Sequence, residues 1–313
     1  MAAGRRGVLI AAAAAAAAAT AGAVAVAVAR GRSRHPRRVH AVLQGGPLLI
    51  AHRGGAGLAP ENTLAAVVSA RDSWGADMVE LDVHATSDGR CVVIHDSTVD
   101  RTTDGSGAIA EMPLARLSDF DAGYHFTRDA GSTFPFRGRG VKIPTIEQVF
   151  EALPEMRFTI EVKHGAAQRP LFDAIARFGN AHRVIAAGMY DRDRTLFASH
   201  RGAVSASTEQ VRTFVTAHRL RLDRLVAVPF DVVQLPETHN GQRVVTPRLI
   251  RALHRRGVPL HVWTVNDADA MERLLDWRVD GLVTDRPDVL GGVLHRRLGR
   301  ALAGAHAAAT PTA

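Results

Sequence analysis

From Pro47 onward the chain alternates short apolar runs with helical stretches for about 240 residues, a pattern that implies a parallel sheet with helical crossovers. Candidate strands are Leu48–Ala51, Met78–Val83, Val92–His95, Arg157–Val162, Arg183–Ala187, Ala203–Ala206, Val232–Leu235, Leu260–Val265 and Gly281–Thr284. Candidate helices include Thr63–Trp74, Ile146–Leu153, Pro170–Phe178, Thr208–Ala217, Pro247–Arg256 and Ala268–Trp277. Such a sheet either closes into a barrel or stays open and doubly wound. Nine candidates are one more than an eight-stranded barrel needs, so one of them is expected to lie outside it. The stretch Arg101–Pro144 breaks the rhythm with Gly105, Gly107, Gly131, Gly138 and Gly140. A loop this long inside a compact domain is usually functional, and here it predicts an excursion over the barrel mouth.

Three segments follow: residues 1–46 ahead of the fold, 47–299 as the barrel with an insertion at about 101–144, and an Ala/Thr/Pro-rich tail, 300–313, expected to fray. Val8–Ala29 is an uncharged, mostly alanine run of 22 residues, flanked by Arg5 and Arg6 before it and by Arg30, Arg32, Arg34, Arg37 and Arg38 after it. At 1.5 Å per residue it is long enough to span a bilayer of ~30 Å. It reads as a single membrane span, with a cleaved signal peptide, which would leave the protein secreted, or a poorly inserting alanine helix as the other readings. The arginines after it favour a cytoplasmic domain by the positive-inside rule, though the side of the membrane stays open. The net charge of +8 comes mostly from this region: residues 1–40 hold seven arginines and no acid, leaving 32 basic against 31 acidic residues elsewhere. A near-neutral folded part argues against a nucleic-acid partner. The single cysteine, Cys91, lies in an apolar run, excludes an intramolecular disulfide and reads as a core residue.

In Met78-Val79-Glu80-Leu81-Asp82-Val83, strand alternation puts Glu80 and Asp82 on one face and Val79, Leu81 and Val83 on the other. Two carboxylates sharing a buried face repel and lose hydration, unless a cation or proton compensates; a hard divalent ion is the natural partner. Ile160-Glu161-Val162-Lys163 repeats the arrangement, offering Glu161 as a third carboxylate and Lys163 as an ammonium for an anionic substrate. Two further strands run into His52-Arg53 and His95-Asp96. A parallel barrel places its active site at the C-terminal strand ends, and two imidazoles there suit a general base and a general acid. Arg53 brings a guanidinium matched to phosphate oxygens. Glu61 is expected to brace Arg53 or His52, Asn62 or Thr63 to cap the first helix, and Asp96 to orient the loop after the third strand. Trp263 either lines the pocket against the alcohol part of a substrate or packs in the core.

These residues together resemble the glycerophosphodiester phosphodiesterase family. The resemblance rests on His52-Arg53-Gly54, Pro60-Glu61-Asn62-Thr63, Glu80-Leu81-Asp82-Val83, His95-Asp96 with Arg101-Thr102-Thr103-Asp104-Gly105, Glu161-Val162-Lys163, Trp263-Thr264-Val265-Asn266, and Asp280-Gly281 with Thr284-Asp285-Arg286-Pro287. The segments occur in the family's order over roughly residues 47–291. The resemblance implies a TIM (β/α)8 barrel with a small insertion after the third strand. It also implies hydrolysis of glycerophosphodiesters to glycerol 3-phosphate and an alcohol. By the same resemblance, Ca²⁺ or Mg²⁺ is held by Glu80, Asp82 and Glu161, with His52 and His95 as the acid–base pair in unsettled order and Arg53 and Lys163 near the phosphate.

Three rival readings stand beside it. A lysophospholipase D would keep the chemistry and take lysophospholipids at the membrane. A non-catalytic head-group-binding barrel would not need paired acid–base groups. A doubly wound nucleotide-binding enzyme would rest on Gly54-Gly55-Ala56-Gly57 alone, a weak signal.

Overall fold

The computed structural model describes residues 39–304. Its strands are β1 (Leu48–Ala51), β2 (Met78–Ala85), β3 (Cys91–Val93), β4 (Arg157–Val162), β5 (Val184–Gly188), β6 (Ala203–Val204), β7 (Val233–Pro236), β8 (Thr238–His239), β9 (Gln242–Arg243), β10 (Leu260–Trp263) and β11 (Gly281–Thr284). Its α-helices are α1 (Leu64–Asp72), α2 (Leu114–Leu117), α3 (Ile146–Ala152), α4 (Gln168–Arg177), α5 (Thr208–Arg219), α6 (Pro247–His254), α7 (Ala268–Asp276) and α8 (Pro287–Leu298).

The parallel strands pair in the order β6-β5-β4-β2-β1-β11-β10-β7. The two ends of that row meet at a parallel bridge between Ser205 and Val232. Ala206 N–H donates to Val232 O at 2.9 Å and Asp231 N–H to Val204 O at 2.8 Å. The sheet is therefore an eight-stranded barrel, which removes the doubly wound reading. The ninth candidate, expected at Val92–His95, is β3, which pairs antiparallel with the upper half of β2 through Val83–Val93, His84–Val92 and Ala85–Cys91. It forms a hairpin on the barrel wall. His95 thus follows a strand that runs against the barrel direction, and the expectation that both histidines end parallel strands holds only for His52.

Helix starts follow the capping chemistry of the sequence. Thr63 caps α1 by accepting from Ala66 N–H, while Thr145 with Gln148 and Ser207 with Gln210 form capping boxes for α3 and α5. Helix α8 was not among the expected helices, and the connection from β5 to β6 is a 3-10 run, Asp191–Ser199. That run contains two Asp and two Arg in its first four residues and has no continuous apolar stripe.

Strand alternation divides the core. Outward residues such as Val79, Leu81, Val83, Phe158, Ile160 and Val162 pack against the helices. Inward residues at the lower end, Leu48, Ile50, Met78, Ile185 and Val283, form a second cluster closed from below by Val42 and Leu43. The 3-10 turn Ala41–Leu43 is thus the floor of the barrel. The excursion after β3 builds a third cluster of its own from Val92, Ile94, Val99, Ile109, Leu117, Phe120 and Ile143. Cys91 is buried, as expected, and burial pushes its thiol pKa far up, so it is inert packing. Arg300, expected at the start of a frayed tail, instead pairs with Asp77 at 2.6 and 2.7 Å and donates to Gly75 O at 2.8 Å. The expected membrane span lies outside the described residues; among these, no helix is long and apolar enough to cross a membrane.

Candidate active site

Strand β2 climbs the barrel interior from Met78, in the apolar lower layer, through Glu80 and Asp82 to His84. Strand β4 lies beside it in a register that puts Glu161 directly opposite Asp82. Carboxylate oxygens of Glu80, Asp82 and Glu161 come within 4.8 Å of one another. The alternation read from the sequence is what gathers them; the register, which the sequence did not reveal, sets their spacing.

Opposite charges surround this group unevenly. Lys163 Nζ lies 2.9 Å from Asp82 Oδ1 and 3.0 Å from Glu161 Oε2. Arg53 Nε is 3.4 Å from Asp82 Oδ2, and Asn62 Nδ2 donates to the same oxygen at 3.0 Å. Among the described residues, Glu80 receives only the Arg53 backbone N–H, at 3.0 Å, and has His52 Nε2 at 3.9 Å. The two carboxyls therefore diverge. Burial, then the charge of Asp82, pushes the Glu80 pKa up to about 7. Burial would also raise Asp82, but Lys163, Arg53 and Asn62 outweigh it and hold that group below its usual value. A buried carboxyl driven toward protonation beside two others is an oxygen-rich set short of positive charge. That donor chemistry fits a hard divalent cation.

The turn after β1 aims the first histidine. Arg53 and Gly54 both have positive φ, at 50° and 83°, which swings the Arg53 N–H onto Glu80. A Cβ on Gly54 would meet the Ala66 Cβ of α1 at 2.8 Å, so this turn needs glycine for space as well as for conformation. His52 Nδ1 is 2.6 Å from Asp285 Oδ1. Burial acts to lower the His52 pKa, but the Asp285 hydrogen bond and the Glu80 charge outweigh it, leaving the imidazole more basic than usual. Asp285 is itself held by Asn266, whose Nδ2 donates to Oδ2 at 2.7 Å and whose Oδ1 accepts the Asp285 N–H at 2.8 Å.

The second histidine reaches the same mouth by the hairpin. Ile94 N–H donates to Asp82 O at 2.9 Å, seating the end of β3 against β2. His95 Nδ1 is 2.7 Å from Asp96 Oδ1, and His84 Nε2 is 3.1 Å from the His95 carbonyl oxygen. Arg101, the first residue of the excursion, donates from Nε to Asp96 at 2.6 Å and from both terminal nitrogens to Glu61 at 2.8 and 2.7 Å. Its guanidinium, then His95, keeps the Asp96 pKa down at about 2, so Asp96 is ionised throughout the working range. Glu61 also accepts from Arg53 Nη1 at 2.8 Å, as the bracing role anticipated.

Trp263 ends β10 on the interior face and is 43% exposed at the mouth, which removes core packing as its role. Asn62 does not cap α1; Thr63 does, and Asn62 turns to Asp82.

Sequence reasoning missed Asp285, Asn266, His84 and Arg101 as members of the mouth. A signal for Asp285 was present: closing a barrel makes the first and last strands neighbours. Ala51 pairs with Thr284, so the next residues, His52 and Asp285, must adjoin. The role of Asp96 also widens, because it orients His95 as well as the loop.

A closed parallel barrel with acids, imidazoles and guanidinium groups converging at its C-terminal strand ends is the architecture of a barrel enzyme, here with three carboxylates at the mouth that could hold a metal ion. Residues 52–289 match the model of the glycerophosphoryl diester phosphodiesterase family, and the chain belongs to that family. It is 34% identical over 271 residues to "Probable glycerophosphodiester phosphodiesterase 2" of Mycobacterium tuberculosis, covering 83% of this chain and 95% of the relative. It is 35% identical over 254 residues to the glycerophosphodiester phosphodiesterase of Caldanaerobacter subterraneus, covering 78% and 96%. Among solved structures, the glycerophosphoryl diester phosphodiesterase domain of an uncharacterized protein from Mycobacterium tuberculosis superposes with a TM-score of 0.70. It is 21% identical, with 81% of this chain and all of that domain covered, and shows the shared fold.

Proposed function

We propose that this protein hydrolyses glycerophosphodiesters to glycerol 3-phosphate and an alcohol, using a divalent cation and the two histidines of the mouth. The observation that carries the reading is the juxtaposition of three carboxylates with two imidazoles, each imidazole backed on Nδ1 by its own aspartate. Family membership supports the reaction class, and the relatives' names support the substrate.

Glu80, Asp82 and Glu161 would hold the cation. When bound, it supplies Lewis-acid stabilisation of the charge that develops on phosphate oxygens. Arg53 and Lys163 carry the positive charge nearest those ligands and are suited to the non-bridging oxygens. Asp285 fixes the tautomer of His52, leaving Nε2 facing the acidic cluster as a proton acceptor. Asp96 does the same for His95, whose Nε2 is then free to exchange a proton with the leaving oxygen. Trp263 offers an apolar wall to the alcohol portion.

The test is glycerophosphocholine turnover by the purified chain after chelation and after re-addition of Mg²⁺ or Ca²⁺. The reading expects activity to be lost and then recovered. Full activity in excess chelator would refute the metal assignment. Release of choline from lysophosphatidylcholine in preference to glycerophosphocholine would move the substrate to the lysophospholipase D alternative.

A further inference from the structure

The floor of the barrel carries a surface that the chemistry of the mouth does not use. The last residue of α5 and the start of its connection to β7 read Arg219-Leu220-Arg221-Leu222-Asp223-Arg224-Leu225. Leu220, Leu222 and Leu225 are 60%, 39% and 49% exposed. Arg219, Arg221 and Arg224 are exposed as well. The one acid in the run, Asp223, is turned inward toward His218 and Arg255, each 3.7 Å away. Among the described residues, none of the three guanidinium groups has an ion-pair partner. Other connections at this end add exposed Arg201 and Arg278. Alternating leucines and unpaired arginines suit the boundary of a bilayer, where apolar side chains enter the acyl region and cations meet anionic head groups. A nucleic acid would use the arginines and gain nothing from the leucines.

A second observation concerns where the chain enters. Val39 packs on the floor cluster, Val42 and Leu43 fill it, and His40 Nε2 lies 3.6 Å from Asp231 Oδ1 in that same α5–β7 connection. Ahead of Val39 come the arginine-rich stretch 30–38 and the uncharged run Val8–Ala29. Nine residues of linker reach at most ~30 Å when fully extended. A span built from Val8–Ala29 would therefore hold the floor, not the mouth, close to the membrane.

We propose that the floor of the barrel, through Leu220, Leu222, Leu225 and their flanking arginines, docks on an anionic lipid surface, turning the active-site mouth toward the aqueous side. The test uses the full chain on phosphatidylcholine vesicles with and without phosphatidylserine. An environment-sensitive fluorophore is attached at Leu222→Cys or, for comparison, at Met189→Cys beside the mouth; the native Cys91 is buried and stays unlabelled. The expected result is a blue shift and quenching by brominated acyl chains at position 222 only, and only with phosphatidylserine. Replacing Arg219, Arg221 and Arg224 together by Gln should lower the docked-to-undocked ratio roughly 100-fold. Quenching at 189 rather than 222, no quenching at 222, or equal quenching without phosphatidylserine would each overturn the proposal.

Discussion

At the floor, β2 begins with Met78 packed against Leu48, Ile50 and Val283 above Val42 and Leu43; two residues higher, the same face turns to Glu80, Asp82 and His84. The floor joins apolar side chains and fastens them with satisfied cations. Arg157 donates to the carbonyls of Val42, Gln44 and Asp77, and Arg300 pairs with Asp77. The mouth crowds charges that no fold would bury together for stability, and supports them with left-handed backbone at Arg53 and Asn62. The contrast assigns stability to one end and chemistry to the other, so substitutions at the two ends should fail differently.

The sharpest break is expected from the histidines. His52→Ala and His95→Ala should each lower kcat on glycerophosphocholine by about 10²–10⁴ while leaving Tm within a few degrees of the parent, read by steady-state assay and calorimetry. A collapse of Tm in either variant would show that the mouth also holds the fold. The floor should answer in the opposite sense. Leu43→Ala empties part of a fully packed layer and should cost about 2–5 kcal/mol in denaturant unfolding, with kcat per folded molecule unchanged. A selective loss of kcat there would dissolve the distinction.

A pH experiment in chelator sets the two ends against each other. Glu80 is raised from 4.5 to about 7 in the folded protein, so between those values the native state binds more protons than the unfolded chain, and its contribution makes stability fall as pH rises. His261, one layer below Trp263 on β10, is fully buried, and among the described residues neither ring nitrogen has a hydrogen-bond partner. Burial lowers its pKa from 6.5 to about 4, so in that window the unfolded chain binds more protons and stability rises with pH. The magnitude of each contribution is about 3 kcal/mol. Glu80→Gln should remove its falling contribution and make the slope of stability against pH more positive, measured by urea unfolding from pH 4.5 to 7; an unchanged profile would mean that Glu80 is not the perturbed carboxyl. The smallest effect is expected at the rim. Arg101→Gln removes half-exposed ion pairs to Glu61 and Asp96 and should cost no more than about 1 kcal/mol of stability, with kcat reduced less than in His95→Ala.

Much of the mouth was legible in one dimension because a strand has a period of two. Glu80 with Asp82, and Glu161 with Lys163, fall on one face whatever the partners, and apolar neighbours fix that face as buried. His52 was legible as the residue that ends an apolar strand. The supporting groups were not, because each lies far along the chain from what it supports. Asp285 reaches His52 across 233 positions, and Asn266, after β10, is fixed to Asp285, after β11, by hydrogen bonds between residues 19 positions apart. His95 was found for a partly wrong reason: the apolar run before it looks like a barrel strand, yet it pairs antiparallel with β2.

The sequence by itself determined an alternating parallel architecture, an inward row of acids and the approximate extent of the excursion, since these follow from local periodicity and residue chemistry. The tertiary structure decided which of nine apolar runs stays out of the barrel, which oxygens of Glu80, Asp82 and Glu161 meet, and why two carboxyls two residues apart titrate in opposite directions. Strand register and barrel closure settle those points. They depend on free energies summed over many distant pairs, and no window along the chain contains both members of such a pair.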